Sequence, residues 1–250
     1  MRIGIEVEFT GISRREAACE LVKLWGKPYD VETYSYKDET RNRFVIQDRE
    51  GLKWSIVMDK SLHPVVSNGK ASLEMDEYMC EIVSPVLDSE YESDINKFAS
   101  VLNAIRCVGA IVNETCGIHI HVDCPDDIRE LYTMFGKFVS MQRSLQVEFG
   151  IPQCRLDGYC KEYSRDLCAW FKDKKFKSRE EFQDFFYGWL APEVSRDDPK
   201  NPARYYMINM DSIHKLGTVE FRFFNSTLSP LVLKSYISWL EGFMSCVKSN

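Results

Sequence analysis

Glu6 and Glu8 stand two residues apart in the opening run Met1-Arg2-Ile3-Gly4-Ile5-Glu6-Val7-Glu8-Phe9. Side chains alternate along a strand, so both carboxylates share one face while Ile3, Ile5, Val7 and Phe9 share the other. Carboxylates spaced by about 6.5 to 7 Å can each reach a different one of two divalent ions held about 3.5 to 4 Å apart. Three later segments also place ligand-type residues on the polar side of an apolar-backed strand. They carry Glu81, then His119 and His121 against Ile118, Ile120 and Val122, then Glu220 and Arg222 against Val219, Phe221 and Phe223. Gly117, just ahead of the histidines, would let a phosphate or other ligand approach the backbone closely. Arg222 suits an anionic phosphoryl group, because a guanidinium binds its oxygens in a fixed fork.

Each pattern has a plainer explanation when taken alone: an acidic edge strand, a pair of surface imidazoles, a salt bridge. Together these faces hold carboxylates, imidazoles and a guanidinium, and no lysine, whereas solvated strands use Lys, Thr and Gln freely. A metal and nucleotide site accounts for the set better than separate coincidences do. A cysteine nucleophile is the weaker alternative. Cys116 adjoins the His119 segment, but the metal reading uses more of the residues, and the cysteines read as small core fillers.

The elements that must position these residues follow from hydrophobic period. Residues 14–26 place Ala17, Ala18, Leu21, Val22, Leu24 and Trp25 at helical spacing. Residues 31–60 read as an antiparallel meander closed by a turn at Asp59-Lys60-Ser61-Leu62, and 63–77, with Pro64, Asn68 and Gly69, as a loop. A strand at 79–83 ends at Pro85, and a helical stripe runs from Tyr91 to a cap at Gly109. After the strand 118–123, Pro125 is expected to open a long helix through Leu131, Phe135 and Phe138. Residues 150–177 show no period. Ser178-Arg179-Glu180-Glu181 resembles a capping box, and the proline-punctuated stretch 191–203, holding Arg196 and Lys200, reads as an exposed loop that would cover a nucleotide. Strands are expected at 205–211 and 218–224, joined by 214–217, before an amphipathic helix opened by Ser229-Pro230. By position, Trp54, Asp59, Ser61 and the 150–177 segment would contribute to an acceptor pocket.

The chain of 250 residues is long enough for a full core and is expected to form one domain, 1–250. With 32 basic against 38 acidic residues and a net charge of -6, it has no general attraction for nucleic acid or an anionic membrane. No apolar run approaches the roughly 20 residues that span a bilayer, and the N-terminus enters a strand pattern at once, so a signal peptide is not expected. A cytoplasmic protein is expected, with nine cysteines in no Cys-x-x-Cys pair and therefore reduced.

Gly4-Ile5-Glu6-Val7-Glu8-Phe9, Cys80-Glu81-Ile82-Val83-Ser84-Pro85, Thr115 to Asp123 and Thr218 to Phe224 resemble, in order, the motif series of the amidoligase family. Asp59-Lys60-Ser61-Leu62 and Arg204-Tyr205-Tyr206-Met207-Ile208-Asn209 resemble its intermediate motifs, and the resemblance spans residues 2 to about 240. The family is similar to the superfamily of carboxylate-amine ligases that contains glutamine synthetase and glutamate-cysteine ligase. The resemblance implies an α+β fold, a mainly antiparallel sheet curved into a half-barrel funnel with helices on its outer face. It also implies an ATP- and Mg²⁺-dependent ligase, with Mn²⁺ as a substitute ion, joining an amino-acid, peptide or protein carboxylate to an amine. Glu6, His119 and Glu220 would hold one ion, and Glu8 and Glu81 the second, with Glu74, Asp76 and Glu77 as candidates for a further ligand. His121 and Gly117 would face phosphate, Arg222 the γ-phosphoryl group, and Arg204 would be a second clamp.

Amide formation from a carboxylate needs activation, so attack on the γ-phosphate would give an acyl phosphate that an amine then opens. Asp59 or Glu81 would take the ammonium proton. Two other classes compete. One is a divalent-metal hydrolase using the same Glu and His residues, and the other a non-catalytic relative that binds nucleotide or peptide.

Overall fold

The computed structural model describes residues 1–36, 39–66, 75–172, 174–198 and 201–248. The expected features at Asn68, Gly69, Glu74, Pro199 and Lys200 lie outside them. The described residues form two compact units, Met1–Ile120 with Phe224–Ile237 and His121–Phe223 with Ser238–Asn250.

In the first unit, alternation sorts β1 (Arg2–Phe9) as its sequence requires: Ile3, Ile5, Val7 and Phe9 are all fully buried. Helix α1 (Arg14–Trp25) starts on a complete capping box between Ser13 and Glu16 and stops at Gly26. Gly26 takes a left-handed φ of 72° at no side-chain cost. The meander follows as β2 (Tyr29–Tyr36), β3 (Glu39–Gln47) and β4 (Lys53–Met58), paired antiparallel in sequence. Next come β5 (Cys80–Val83), β6 (Leu87–Asp88) and helix α2 (Glu92–Cys107). The two-residue β6, which pairs with β1, carries no sequence period and was not expected.

Antiparallel register fixes what each face presents. Phe44, Ile56, Ile82 and Val7 form one row and all are buried. Helices α1 and α2 cover this face, where Trp54 packs between Trp25 and Phe98 with ring centroids 5.3 Å away on each side. Trp54 is therefore core, not acceptor pocket. Its indole N–H donates to Asp48 at 3.2 Å. The opposite face carries the rows Ser55, Val83, Glu6 and Val57, Glu81, Glu8.

Strand β7 (Gly117–Asp123) begins in the first unit and ends in the second. Helix α3 (Ile128–Glu148) starts at Ile128, not at Pro125, because Asp127 is the residue whose carboxylate accepts the Arg129 N–H, at 2.8 Å. Residues 150–177, which lack a period, contain helices α4 (Gln153–Asp157) and α5 (Arg165–Lys172). These helices are too short to show one. Helix α6 (Arg179–Leu190) has half of the expected box: Ser178 accepts from the Glu181 N–H, but the Glu181 carboxylate takes the Lys177 N–H. An aromatic core of Phe135, Tyr163, Phe171, Phe182 and Phe186 packs α3, α5 and α6 edge to face.

The expected strand 205–211 shrinks to β8 (Ile208–Asn209). The Asn209 side chain captures the Asp211 N–H at 2.9 Å, an Asx turn that ends pairing, and 212–216 form the short helix α7 (Ser212–Leu216) in place of a plain joint. Strand β9 (Thr218–Asn225) and helix α8 (Pro230–Lys248) complete the chain and, like β7, each belong to both units. Among the described residues nine strands form one open sheet in the order β2-β3-β4-β5-β1-β7-β9-β8, with β6 beside β1. The pairings β2-β3, β3-β4, β4-β5, β5-β1, β1-β6 and β8-β9 are antiparallel. Among the described residues there are eight α-helices, and none is long and apolar enough to cross a membrane.

Candidate metal centre

Register brings two carboxylates face to face. Glu8 in β1 lies directly opposite Glu81 in β5, and both are buried, while Glu6, opposite Val83, is half-buried on the same face. Like charges in opposed positions repel, the more so where water is excluded. His119, buried in β7, sits among the three. Its Nδ1 is 3.0 Å from Glu6 Oε2 and 3.6 Å from Glu81 Oε1, and its Nε2 is 3.4 Å from Glu8 Oε1.

One imidazole therefore faces carboxylate oxygens with both ring nitrogens. Both nitrogens are thus placed where a cation could be held between imidazole and carboxylate. Ligand atoms of Glu8, Glu81 and His119 all lie within 4.8 Å of one another. Hard carboxylate oxygens with a single imidazole form a donor set that fits Mg²⁺ or Mn²⁺, whereas a thiolate-rich set would favour Zn²⁺. The residues present thus fit the ion that the sequence leads one to expect.

Backbone contacts hold Glu8 in place. The Gly117 N–H donates to Glu8 Oε2 at 2.5 Å, and the Ser226 hydroxyl donates to the Glu8 main-chain carbonyl. The Gly117 amide, expected beside phosphate, is thus engaged with a carboxylate. Asp59 accepts the Ser61 N–H at 2.6 Å in the turn after β4. Asp76 and Glu77 are exposed on a 3-10 turn, Met75–Tyr78.

In the second unit, Glu220 and Arg222 share one face of β9 and are both buried. Arg222 Nη1 donates to Glu220 Oε1 within the strand, and Arg222 Nε donates to the Tyr159 carbonyl at 3.2 Å. The other Glu220 oxygen accepts from Asn209 Nδ2 at 2.6 Å. His121 places Nδ1 2.9 Å from the Thr218 hydroxyl and Nε2 4.0 Å from Glu220 Oε2. Arg204 ends a 3-10 turn, Pro202–Arg204, with its guanidinium 5.6 Å from the Tyr205 ring centroid.

Three polar residues here had no role assigned from sequence. Asn209 and Thr218 lie inside quoted motifs, but their types alone do not mark them. Buried Arg155 donates to the Arg222 carbonyl at 2.5 Å, from a helix whose sequence has no period. Among the cysteines, burial pushes the Cys80 thiol far up, and that thiol donates to the Ile12 carbonyl at 3.3 Å. Burial raises Cys124 to about 11 despite the nearby Arg179. Cys116 is buried, with its sulfur 3.4 Å from Asn113 Oδ1.

No curated protein matches this chain. A family model described as putative amidoligase enzyme matches residues 1–244, which include every strand and all the residues placed above. The chain belongs to the amidoligase family, whose activity is the formation of amide bonds.

Proposed function

We propose that this amidoligase is an ATP-dependent carboxylate-amine ligase that uses Mg²⁺, or Mn²⁺ in its place, and activates its carboxylate as an acyl phosphate. The observation that carries this reading is the buried imidazole of His119 set among Glu6, Glu8 and Glu81. Divalent ions bound there would neutralise phosphate oxygens and favour charge developing on the transferred group. Glu220 would bind the ion on the nucleotide side. His121 would donate to phosphate, and Arg222 and Arg204 would clamp the transferring phosphoryl group. Asp59 or Glu81 would accept the proton of the incoming ammonium. Further parts of the proposal are that residues 1–250 work as one catalytic domain and that the sheet curves into the half-barrel funnel of the glutamine synthetase fold. The substrate is a small-molecule, peptide or protein carboxylate, the amine is its partner, and the protein acts in the cytoplasm without nucleic acid or membrane.

The test is ADP release from Mg-ATP on addition of a carboxylate and an amine, followed through a panel of amino acids and peptides. Release that needs both Mg²⁺ and the amine, and that is lost in Glu8→Gln, is expected. Cleavage of an amide or phosphoester without ATP would replace this reading with a metal hydrolase. Binding of Mg-ATP without turnover on any amine would replace it with a non-catalytic relative.

A further inference from the structure

Strand β8 is only two residues long, and one of them, Asn209, lies directly opposite Glu220 in the ladder. Asn209 is buried, and both ends of its carboxamide are used. Oδ1 accepts the Asp211 N–H at 2.9 Å, which fixes the orientation of the amide and aims Nδ2 at Glu220 Oε2, 2.6 Å away. The Ser212 hydroxyl lies within hydrogen-bond distance of the Asn209 carbonyl, at 2.9 Å, and of the Thr218 carbonyl, at 2.6 Å, which ties the turn to the start of β9. Tyr163 donates its hydroxyl to the Ile208 carbonyl at 2.6 Å. The position of Asn209 is thus set by the Asp211 amide and by the Ser212 and Tyr163 hydroxyls.

Glu220 accepts from Arg222 on Oε1 and from Asn209 on Oε2, and the two donors fix the plane of the carboxylate. A carboxylate oxygen that accepts a hydrogen bond can still ligate a cation, because each oxygen offers two lone pairs. From this geometry we infer that Asn209 is the positioning residue that orients Glu220 for metal binding, which resting on the proposed function makes Glu220 a ligand. Partners of this kind, one shell out from the metal, change affinity by about 10- to 100-fold when removed.

Thermal melting of the full chain in chelator and in Mn²⁺ tests the inference, and the readout is the stabilisation that Mn²⁺ adds. Glu220→Gln should narrow that gap, and Asn209→Ala should narrow it too, with Mn²⁺ binding weakened by about 10- to 100-fold in a direct titration. Asn209→Asp keeps the acceptor for the Asp211 N–H and puts a second carboxylate opposite Glu220. It should melt lower than wild type in chelator and show a wider gap, because the ion relieves the new repulsion. A purely structural asparagine would lower both melts equally in either variant. Wild-type gaps in both Asn209 variants, beside a narrowed gap in Glu220→Gln, would overturn the inference and leave the ligand reading standing. An unchanged gap in Glu220→Gln would overturn both.

Discussion

The two polar clusters of this protein hold their carboxylates in opposite ways. Around His119 three carboxylates meet a single imidazole, two of them opposed across β1 and β5. Around Glu220 one carboxylate meets a guanidinium and an amide, and both its oxygens are engaged. In the first arrangement opposed carboxylates repel across the strands unless a cation lies between them. In the second, donors fixed by the fold hold one carboxylate in a single orientation. The lesson is that opposed carboxylates mark where a cation would relieve repulsion, whereas paired donors mark where the protein orients a single side chain.

Opposite signs of mutational effect would break or sharpen this contrast. Glu8→Gln should lose about 10³-fold in Mg²⁺-dependent nucleotide turnover, since several kcal/mol of charge stabilisation go with the ion. The same variant should melt about 1 to 3 °C higher than wild type in chelator, because one of two opposed charges is gone. A lower melt in chelator would refute repulsion between Glu8 and Glu81. Arg222→Ala should do the reverse to stability. It strands Glu220 as a buried unpaired charge, a loss of about 3–5 kcal/mol to be read by urea denaturation. An unchanged urea midpoint would show that Glu220 does not depend on Arg222.

Asp48 extends the contrast to pH. Burial alone would raise its pKa, but the Trp54 indole, the Leu52 N–H and the Lys97 ammonium outweigh burial and hold the carboxyl below its ordinary value. A carboxylate depressed on folding adds stability above its unfolded pKa of about 4 and loses it as pH falls through the lower folded value. Wild type should therefore weaken more steeply than Asp48→Asn below about pH 4, and parallel curves would remove Asp48 from the account. The smallest effect concerns the thiols. Alkylation at neutral pH, followed by mass spectrometry, should label exposed Cys19, Cys107, Cys154 and Cys246 well ahead of Cys80 and Cys124. Cys116→Ala should leave turnover intact, and its loss would return the chemistry to a cysteine.

The parts legible in the sequence were those with a strong period. β1 could be read because Ile3, Ile5, Val7 and Phe9 leave Glu6 and Glu8 no other face, and α1 because Ala17, Ala18, Leu21 and Trp25 recur at helical spacing. Strand pairing has no such local signal. That Glu8 would lie opposite Glu81, and that His119 would face Glu6, Glu8 and Glu81 together, depends on register between segments distant in sequence. Short elements were lost for a related reason: α4, β6 and α7 hold too few residues for a period, and β8 was expected as the longer strand 205–211. Asn209 lay inside that strand and a quoted motif, but its type alone gave it no role.

The hydrogen bond from the Gly117 amide to Glu8 gives the first cluster a spectroscopic reporter. An amide proton shared with a carboxylate at 2.5 Å resonates well downfield, and its shift follows the electron density on that oxygen. A ligand that draws charge from Glu8 moves the Gly117 signal, and one that pulls the side chain away opens the amide to exchange with water. Occupancy of the site can thus be followed at a single backbone nitrogen, before any substrate is identified.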